Sequence, residues 1–265
     1  MTVEARTTSV SVSGVRYTYP GSGGGIRDVT LGISNGELIA VIGPNGGGKS
    51  TLLRLIAGIL TPQSGTVAVA NDGPDGAKPS RAQLVAYVGQ SHDMVFPFPV
   101  FDVVLAGRTP HVSRFRFESE RDRAVAFGAL ESVGIAHLAN RRVTDLSGGE
   151  RQLVAIARGL AQEPECILLD EPTASLDLPH RWRVVNLIQD LRSKRRLTTV
   201  LVTHDLTLLD GTFDRVAAMK DGRLVALGPT DTVVDASVLS HVYGEGGIRT
   251  ARFEGRTFVW PQSKG

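Results

Sequence analysis

The sequence predicts an α/β fold: a largely parallel sheet with helices between its strands, opened by a β-rich stretch and interrupted by a helical insertion. Three observations predict it. Residues 38–57 run from a short apolar segment, through a glycine-rich stretch, into a helical pattern. Residues 166–169 and 198–202 repeat the near-continuous apolar texture of strands buried on both faces. Between these runs, residues 94–162 change to helical periodicity.

Each element follows from its own pattern. Residues 10–19 alternate apolar and polar, as in a half-exposed strand, and residues 21–25 form a Gly/Ser turn. Residues 29–33 read as a second strand, and Asn35-Gly36 marks a hairpin turn into Leu38, so the opening is antiparallel. Leu38-Ile39-Ala40-Val41-Ile42 is a buried parallel strand, and residues 52–57 form a helix ended near Gly58. A strand at 66–69, a polar surface loop at 71–80 and a strand at 84–88 that delivers Gln90 follow. Phe96-Pro97-Phe98-Pro99 interrupts regular structure. Residues 119–133 form an amphipathic helix with Phe127, Leu130 and Val133 or Gly134 inward. Residues 150–160 carry Leu153, Ile156, Ala157 and Leu160 at helical spacing.

The strand at 166–169 ends in Asp170-Glu171. Pro179 sits in the first turn of a helix that Asp177 caps. Val184, Leu187, Ile188 and Leu191 give that helix its apolar stripe. Arg192, Lys194, Arg195 and Arg196 crowd its C-terminus, where cations are favoured. The strand at 198–202 ends at Thr203-His204. Residues 216–219 and 224–227 flank Lys220-Asp221-Gly222 as a hairpin. Residues 250–253 and 257–260 form a second hairpin, turning at Glu254-Gly255. The division expected is a core of 1–93 and 163–229 that includes the β-rich opening, a helical subdomain of 94–162, and a C-terminal extension of 230–265.

Bulk properties exclude some classes. A chain of 265 residues can bury one large core with an insertion. A formal charge of +2 gives no nucleic-acid footprint. Cys166 is the only cysteine, so no internal disulfide forms; it opens an apolar strand and reads as a small core residue. The N-terminus, with Glu4 and Arg6, shows no secretory signal, and no stretch approaches the ~20 apolar residues of a bilayer span.

The chemistry concentrates at strand ends. Gly43 to Thr51 reads GPNGGGKST and fits the phosphate-loop pattern through Gly43, Gly48, Lys49 and Ser50. Glycines let the backbone wrap an anion and turn successive N–H groups inward, and the following helix adds the positive end of its dipole. Lys49 can reach the β- and γ-phosphates of a nucleotide, and the Ser50 hydroxyl can sit on Mg²⁺. Asp170 is the expected magnesium-side carboxylate, and Glu171 is the group placed to polarise an attacking water. Ligands of an open parallel sheet lie beyond the carboxyl ends of its strands, so these residues and His204 should share one crevice. Leu146-Ser147-Gly148-Gly149-Glu150 puts a hydroxyl and two glycines at another helix start, a second phosphate-binding terminus.

With these motifs in place, the chain resembles the ATP-binding-cassette (ABC) family over nearly its whole length. GPNGGGKST resembles the Walker A loop, including Pro44, Asn45, Gly46 and Gly47; Gln90 the Q-loop glutamine; and LSGGE the family signature. Residues 167–172 resemble Walker B with its glutamate, Ala174-Ser175-Leu176-Asp177 the D-loop, and His204 the H-switch. The resemblance implies a P-loop NTPase (RecA-like) core with an antiparallel β subdomain and a helical subdomain bearing the signature. It implies ATP and Mg²⁺ as ligands, with Ser50, Gln90 and Asp170 on the metal side. Tyr19 would stack on adenine, worth ~1–3 kcal/mol, in preference to Tyr17.

The resemblance further implies that two cassettes pair head to tail. Each ATP would lie between one copy's Walker A loop and the other's Ser147, Gly148 and Gly149. Lys49, Glu171 and His204 would carry the chemistry. Partners implied are a second ATPase subunit, transmembrane permease subunits met through the region after Gln90 and, indirectly, a substrate-binding protein, at the cytoplasmic face of the membrane.

Three departures stand out: Gly47 where Ser, Ala or Cys is usual, Glu150 for Gln, and Leu153 where arginine is frequent. Residues 96–111, with Gly107-Arg108-Thr109-Pro110-His111, and Leu176-Asp177-Leu178-Pro179-His180 resemble importers of iron chelates, haem or cobalamin. Zinc or manganese importers, or a soluble non-transport cassette, are the alternatives. A P-loop kinase or GTPase would leave LSGGE and His204 unexplained. Phe96 and Phe98 are either subdomain core or permease contact. His92, His111 and His180 share no metal-ligand spacing.

Overall fold

The computed structural model describes residues 8–21, 23–70, 79–90, 96–112, 117–174, 176–209, 212–244, 248–253 and 256–261. The chain opens with β1 (Thr8–Thr18), β2 (Gly25–Ser34) and β3 (Leu38–Ile42), then α1 (Lys49–Ile56) and β4 (Ser64–Val69). Helix α2 (Arg81–Leu84) leads into β5 (Val85–Val88). The helical part holds α3 (Val100–Leu105), α4 (Glu120–Ser132) and α5 (Gly148–Ala161). The chain returns through β6 (Cys166–Asp170), α6 (Leu178–Arg195), β7 (Thr198–Val202), β8 (Arg215–Lys220) and β9 (Arg223–Gly228). It closes with α7 (Thr230–Val233), α8 (Ala236–Tyr243), β10 (Ile248–Phe253) and β11 (Arg256–Pro261).

The central sheet has the order β5-β6-β7-β3-β8-β9. Pairing is parallel from β5 to β8, and β9 returns antiparallel. Successive side chains of a strand face opposite sides, so each central strand feeds two cores. Leu38, Ala40 and Ile42 of β3, with Ile167, Leu169 and Leu201, face the core shared with α3, α4, α5 and α6. Ile39 and Val41, with Leu168, Val200 and Val202, face α1 and the antiparallel sheet β2-β1-β4. Burial on both faces is why these strands read as unbroken apolar runs.

Three expectations are corrected. Asn35-Gly36 is a turn, closed by Glu37 N–H to Ser34 O at 3.1 Å, but it is not a hairpin. It carries the chain from one sheet to the other, because both edges of β3 are taken by β7 and β8. In α4 the inward stripe is Ala126, Ala129 and Leu130, followed by Val133, while Phe127 is exposed. Its alanines let α3 and α5 pack closely, and Phe127 lies one residue off that stripe. Leu84, expected to open the strand, instead closes a helical turn over residues 81–84 that a Ser80–Gln83 capping box starts. The remainder of the expected loop, 71–78, lies outside the described residues, as do Ser175, His92 and the turn Glu254-Gly255. Among the described residues no helix is long and apolar enough to cross a membrane.

The helical part is clasped by Arg108, which is only 3% exposed. Its guanidinium donates to Asp122 Oδ1 at 2.9 Å, Ala161 O at 2.7 Å and Glu163 Oε2 at 2.8 Å, joining the turn after α3 to the start of α4 and the end of α5. His111 meets Gln162 O at 2.8 Å, and Gln162 reaches Val85 O of β5 at 2.8 Å. The Gly-Arg-Thr-Pro-His stretch is thus a clasp on the end of α5. Bonds from Ser119, and then the Arg108 guanidinium, hold the Asp122 carboxyl down at about 2, below its ordinary 3.8. The stability this contributes is complete above about pH 4 and is lost as pH falls toward 2. Arg108→Met should lower the unfolding free energy at pH 7 by about 3–5 kcal/mol, as for a buried pair stripped of one partner. Urea melts measure this, and the same melts repeated from pH 5 to pH 2 should show a shallower acid loss in the variant.

Candidate functional site

The carboxyl ends of β6, β7 and β3 stand side by side, because β7 pairs with both neighbours. The phosphate loop leaves β3, Asp170-Glu171 leaves β6, and Thr203-His204 leaves β7. Glu171 and His204 border one open cavity of about 730 Å³, lined also by Tyr19, Gly24, Gly25, Gln90 and Ala174, with Asn45 to Thr51 forming the loop's wall.

The loop is built tightly against its neighbours. At Gly43 the backbone is left-handed (φ 142°), and a Cβ would collide with Met219 O of β8. At Gly48 (φ 97°), the residue before α1, a Cβ would stand 3.0 Å from Gly25 O. The tip of the β8–β9 hairpin braces the loop, with Gly222 N–H donating to Gly47 O at 3.1 Å. Gly47 itself is crowded: a Cβ there would approach Pro44 O to 2.9 Å, so the departure from the usual residue suits this packing. Lys49 is buried and donates to Gly43 O at 2.8 Å and Pro44 O at 2.9 Å. Burial lowers its pKa, opposed by the nearby carboxylates of Glu171 and then Asp170.

Behind the loop, Asp170 is only 2% exposed and is held from two sides. Ser50 donates to its Oδ1 at 3.0 Å and Tyr87 to its Oδ2 at 2.9 Å. Burial and Asp170 push the Tyr87 phenol up, and Arg54 is pushed up by its bonds to Tyr87 and Tyr19. Arg54 donates to the Tyr19 hydroxyl at 3.2 Å, so a polar chain runs from Tyr19 to Asp170. Tyr17 packs edge-on to Tyr19, with ring centroids 4.9 Å apart, and leans on the core below. Glu171 adopts a left-handed backbone (φ 52°), sparsely populated for a residue with a side chain. Its Oε2 accepts from Gln90 Nε2 at 2.9 Å and faces His204 Nδ1 at 3.4 Å.

Ser147, Gly148, Gly149 and Asp177 do not line this cavity. Ser147 caps α5 in a capping box: its hydroxyl accepts from Glu150 N–H at 3.2 Å, and Glu150 Oε2 accepts from Ser147 N–H at 2.8 Å. Those bonds hold the Glu150 carboxyl below its ordinary range. Ser147 and Gly148 are exposed. Gly149 abuts the His180 ring, so a Cβ there would stand 3.0 Å from Cδ2. Asp177 caps α6 and accepts from the His180 ring at 2.5 Å, which holds its carboxyl down. The start of α5 and the start of α6 therefore form a second cluster. Leu153 is buried in the α5 core, where an arginine would lack solvent.

Sequence reasoning missed four contributors. Tyr87 and Arg54 lie inside apolar elements, and only alternation along β5 could have pointed to Tyr87. Gly25 looked like part of a simple turn. Tyr243, at the end of α8, accepts from Gly43 N–H at 3.1 Å across 200 residues of chain, and nothing local signals it. Phe96 and Phe98 are 68% and 57% exposed, so they are surface residues and not subdomain core.

Residues 26–174 match the family described as ABC transporter. A hemin import ATP-binding protein of Gloeobacter violaceus is 43% identical over 227 residues, 83% of this chain and 82% of that protein. A cobalamin import ATP-binding protein of Halobacterium salinarum is 40% identical over 235 residues, 88% of this chain but 56% of that longer protein. Among solved structures, an inward-facing conformation described as of metal-chelate type ABC transporter superposes with a TM-score of 0.83 at 30% identity, covering 97% of this chain and 99% of that one. A dimeric, post-hydrolysis cassette bound to ADP and Pi superposes at 0.71 with 29% identity, covering 83% of this chain and 98% of that one.

Proposed function

The chain belongs to the ABC transporter family, and from that premise we propose that it is the ATP-hydrolysing subunit of an importer, working as a head-to-tail pair beneath a separate permease. One observation carries the reading. The cavity at the phosphate loop gathers Lys49, Ser50, Glu171, Gln90 and His204, with Asp170 bonded to Ser50 behind it, while Ser147 and Gly148 of the second glycine-rich helix start stand exposed outside it. A site complete but for a second phosphate-binding terminus, on a chain that carries that terminus elsewhere, is completed by another copy.

ATP enters with its phosphates on the backbone N–H groups of residues 46–51 and its base on Tyr19. Lys49 leaves the carbonyls of Gly43 and Pro44 for the phosphates. Glu171, held between Gln90 and His204, orients water and accepts its proton, and His204 faces the γ-phosphate. The hydroxyl of Ser50 and a carboxylate oxygen of Asp170, 3.0 Å apart, are hard oxygen donors suited to Mg²⁺. Mg²⁺ commonly takes one or two protein oxygens and fills its octahedron with phosphate and water. That ion would neutralise charge on the β- and γ-phosphates, and the Gln90 side chain would border it.

On this reading residues 94–162 are the helical subdomain that carries Ser147 to Gly149, between the two parts of the core, and residues 230–265 are an extension. The exposed Phe96–Phe98 pair, with rings 6.1 Å apart, follows Gln90 and offers an apolar contact for the permease. On this reading the chain sits at the cytoplasmic face of the membrane and meets a substrate-binding protein only through the permease. The haem and cobalamin relatives support a chelated-metal cargo.

Three variants test the assignment. Glu171→Gln should retain ATP binding, lose turnover by at least about 10²-fold and accumulate dimer in ATP, read by phosphate release and light scattering. Turnover at the parent rate sinks the base assignment. Lys49→Ala should weaken ATP affinity by roughly tenfold or more, as expected for a lost bond to a charged group, measured by calorimetry. Ser147→Arg should bind ATP as the parent does yet stop hydrolysis; undiminished phosphate release would refute the shared site.

A further inference from the structure

We propose that the C-terminal helix α8 is coupled to nucleotide occupancy through Tyr243, which acts as a positioning residue for the phosphate loop; the proposal rests on the nucleotide reading above. Pairing of β3 with β8 ends at Ile42 opposite Ala218. Gly43 N–H is the first amide beyond that ladder, at the point where strand becomes loop. Its partner is the Tyr243 hydroxyl, at 3.1 Å. The carbonyl of the same residue accepts from Lys49 Nζ at 2.8 Å. Tyr243 and Lys49 therefore grip Gly43 from its two sides. Between them they set the direction in which the loop departs, at a residue whose φ of 142° tolerates no side chain.

Tyr243 is itself held in place. Leu239 and Val242 of α8 are fully buried in the larger core. Lys220, at the end of β8, donates to His241 O at 2.6 Å in the last turn of α8. Asp235 caps the helix start, accepting from Ser237 N–H at 2.9 Å, and Gly244 ends it. The phenol is half-buried, and burial raises its pKa, so it stays a neutral hydroxyl.

The consequence concerns binding and not chemistry. When a nucleotide arrives, Lys49 must exchange the Gly43 carbonyl for phosphate, and Gly43 loses one of its two restraints. Tyr243 is the one that remains, keeping the following N–H groups turned into the cavity. Glu171 and His204 sit on other strands and do not depend on it. By linkage, whatever Tyr243 contributes to nucleotide affinity the nucleotide returns as order in α8. The C-terminal segment thereby senses the loaded state.

Tyr243→Phe in the full chain tests this, because it removes only the hydroxyl. Titration with adenylyl imidodiphosphate should show Kd raised about fivefold, the size of one neutral hydrogen bond. The kcat at saturating ATP should match the parent, and the thermal midpoint should fall by no more than about 2–4 °C, the loss of one hydrogen bond. In hydrogen exchange, the nucleotide should slow the backbone amides of residues 236–243 in the parent but not in the variant. Unchanged Kd, or protection of 236–243 that persists in the variant, overturns the proposal. A rise of Kd accompanied by a fall of kcat and a larger drop in thermal midpoint overturns it too, leaving Tyr243 a packing residue. A parent that binds no nucleotide refutes the reading of the site, whereas a parent that binds it with no change at 236–243 refutes the coupling alone.

Discussion

Everything at the site depends on the parallel pairing of β7 with both β6 and β3. That pairing sets three carboxyl ends side by side and turns residues far apart in the chain into neighbours. Had β7 paired elsewhere, His204 could not face Glu171, nor could Ser50 at the start of α1 reach Asp170. The pairing is secured by burial: β3, β6 and β7 are buried on both faces, so each must lie inside the sheet with helices on one side and the antiparallel sheet on the other.

The phosphate loop is a preformed cradle because its surroundings leave it no room. Met219 O, Gly25 O and Gly222 crowd its glycines, and Tyr243 secures its first amide. Preorganisation of this kind lets N–H groups meet an anion without first being ordered. The left-handed Glu171 belongs to the same logic: a sparsely populated backbone persists at the end of β6, where Val202 O accepts from its N–H. The exposed start of α5 is different. Its capping box satisfies the helix locally and leaves Ser147 and Gly148 exposed.

The helical part depends on a buried cation where one expects apolar packing. Arg108 ties three segments together, and Gln162 carries the tie to β5. Through these bonds the end of α5 is fastened to the edge of the sheet, while its beginning carries Ser147 to Gly149. One rigid helix thus connects the clasp to the exposed terminus.

The sequence by itself determined the residue chemistry and the local elements. The glycine loop between strand and helix, the carboxylates after residues 166–169, His204 after residues 198–202 and the caps Ser147 and Asp177 are all written in short-range patterns, because strand burial, helix capping and glycine conformations are local constraints. Tertiary structure alone decided who meets whom. Asn35-Gly36 has hairpin chemistry, yet it joins two sheets, since strand pairing depends on which edges remain free. Phe127 is apolar, yet it faces out, since the close approach of α3 and α5 selects alanines. Tyr87, Arg54 and Tyr243 touch the site across contacts of 83 to 200 residues or through one another, and no periodicity records a hydrogen bond between segments that distant.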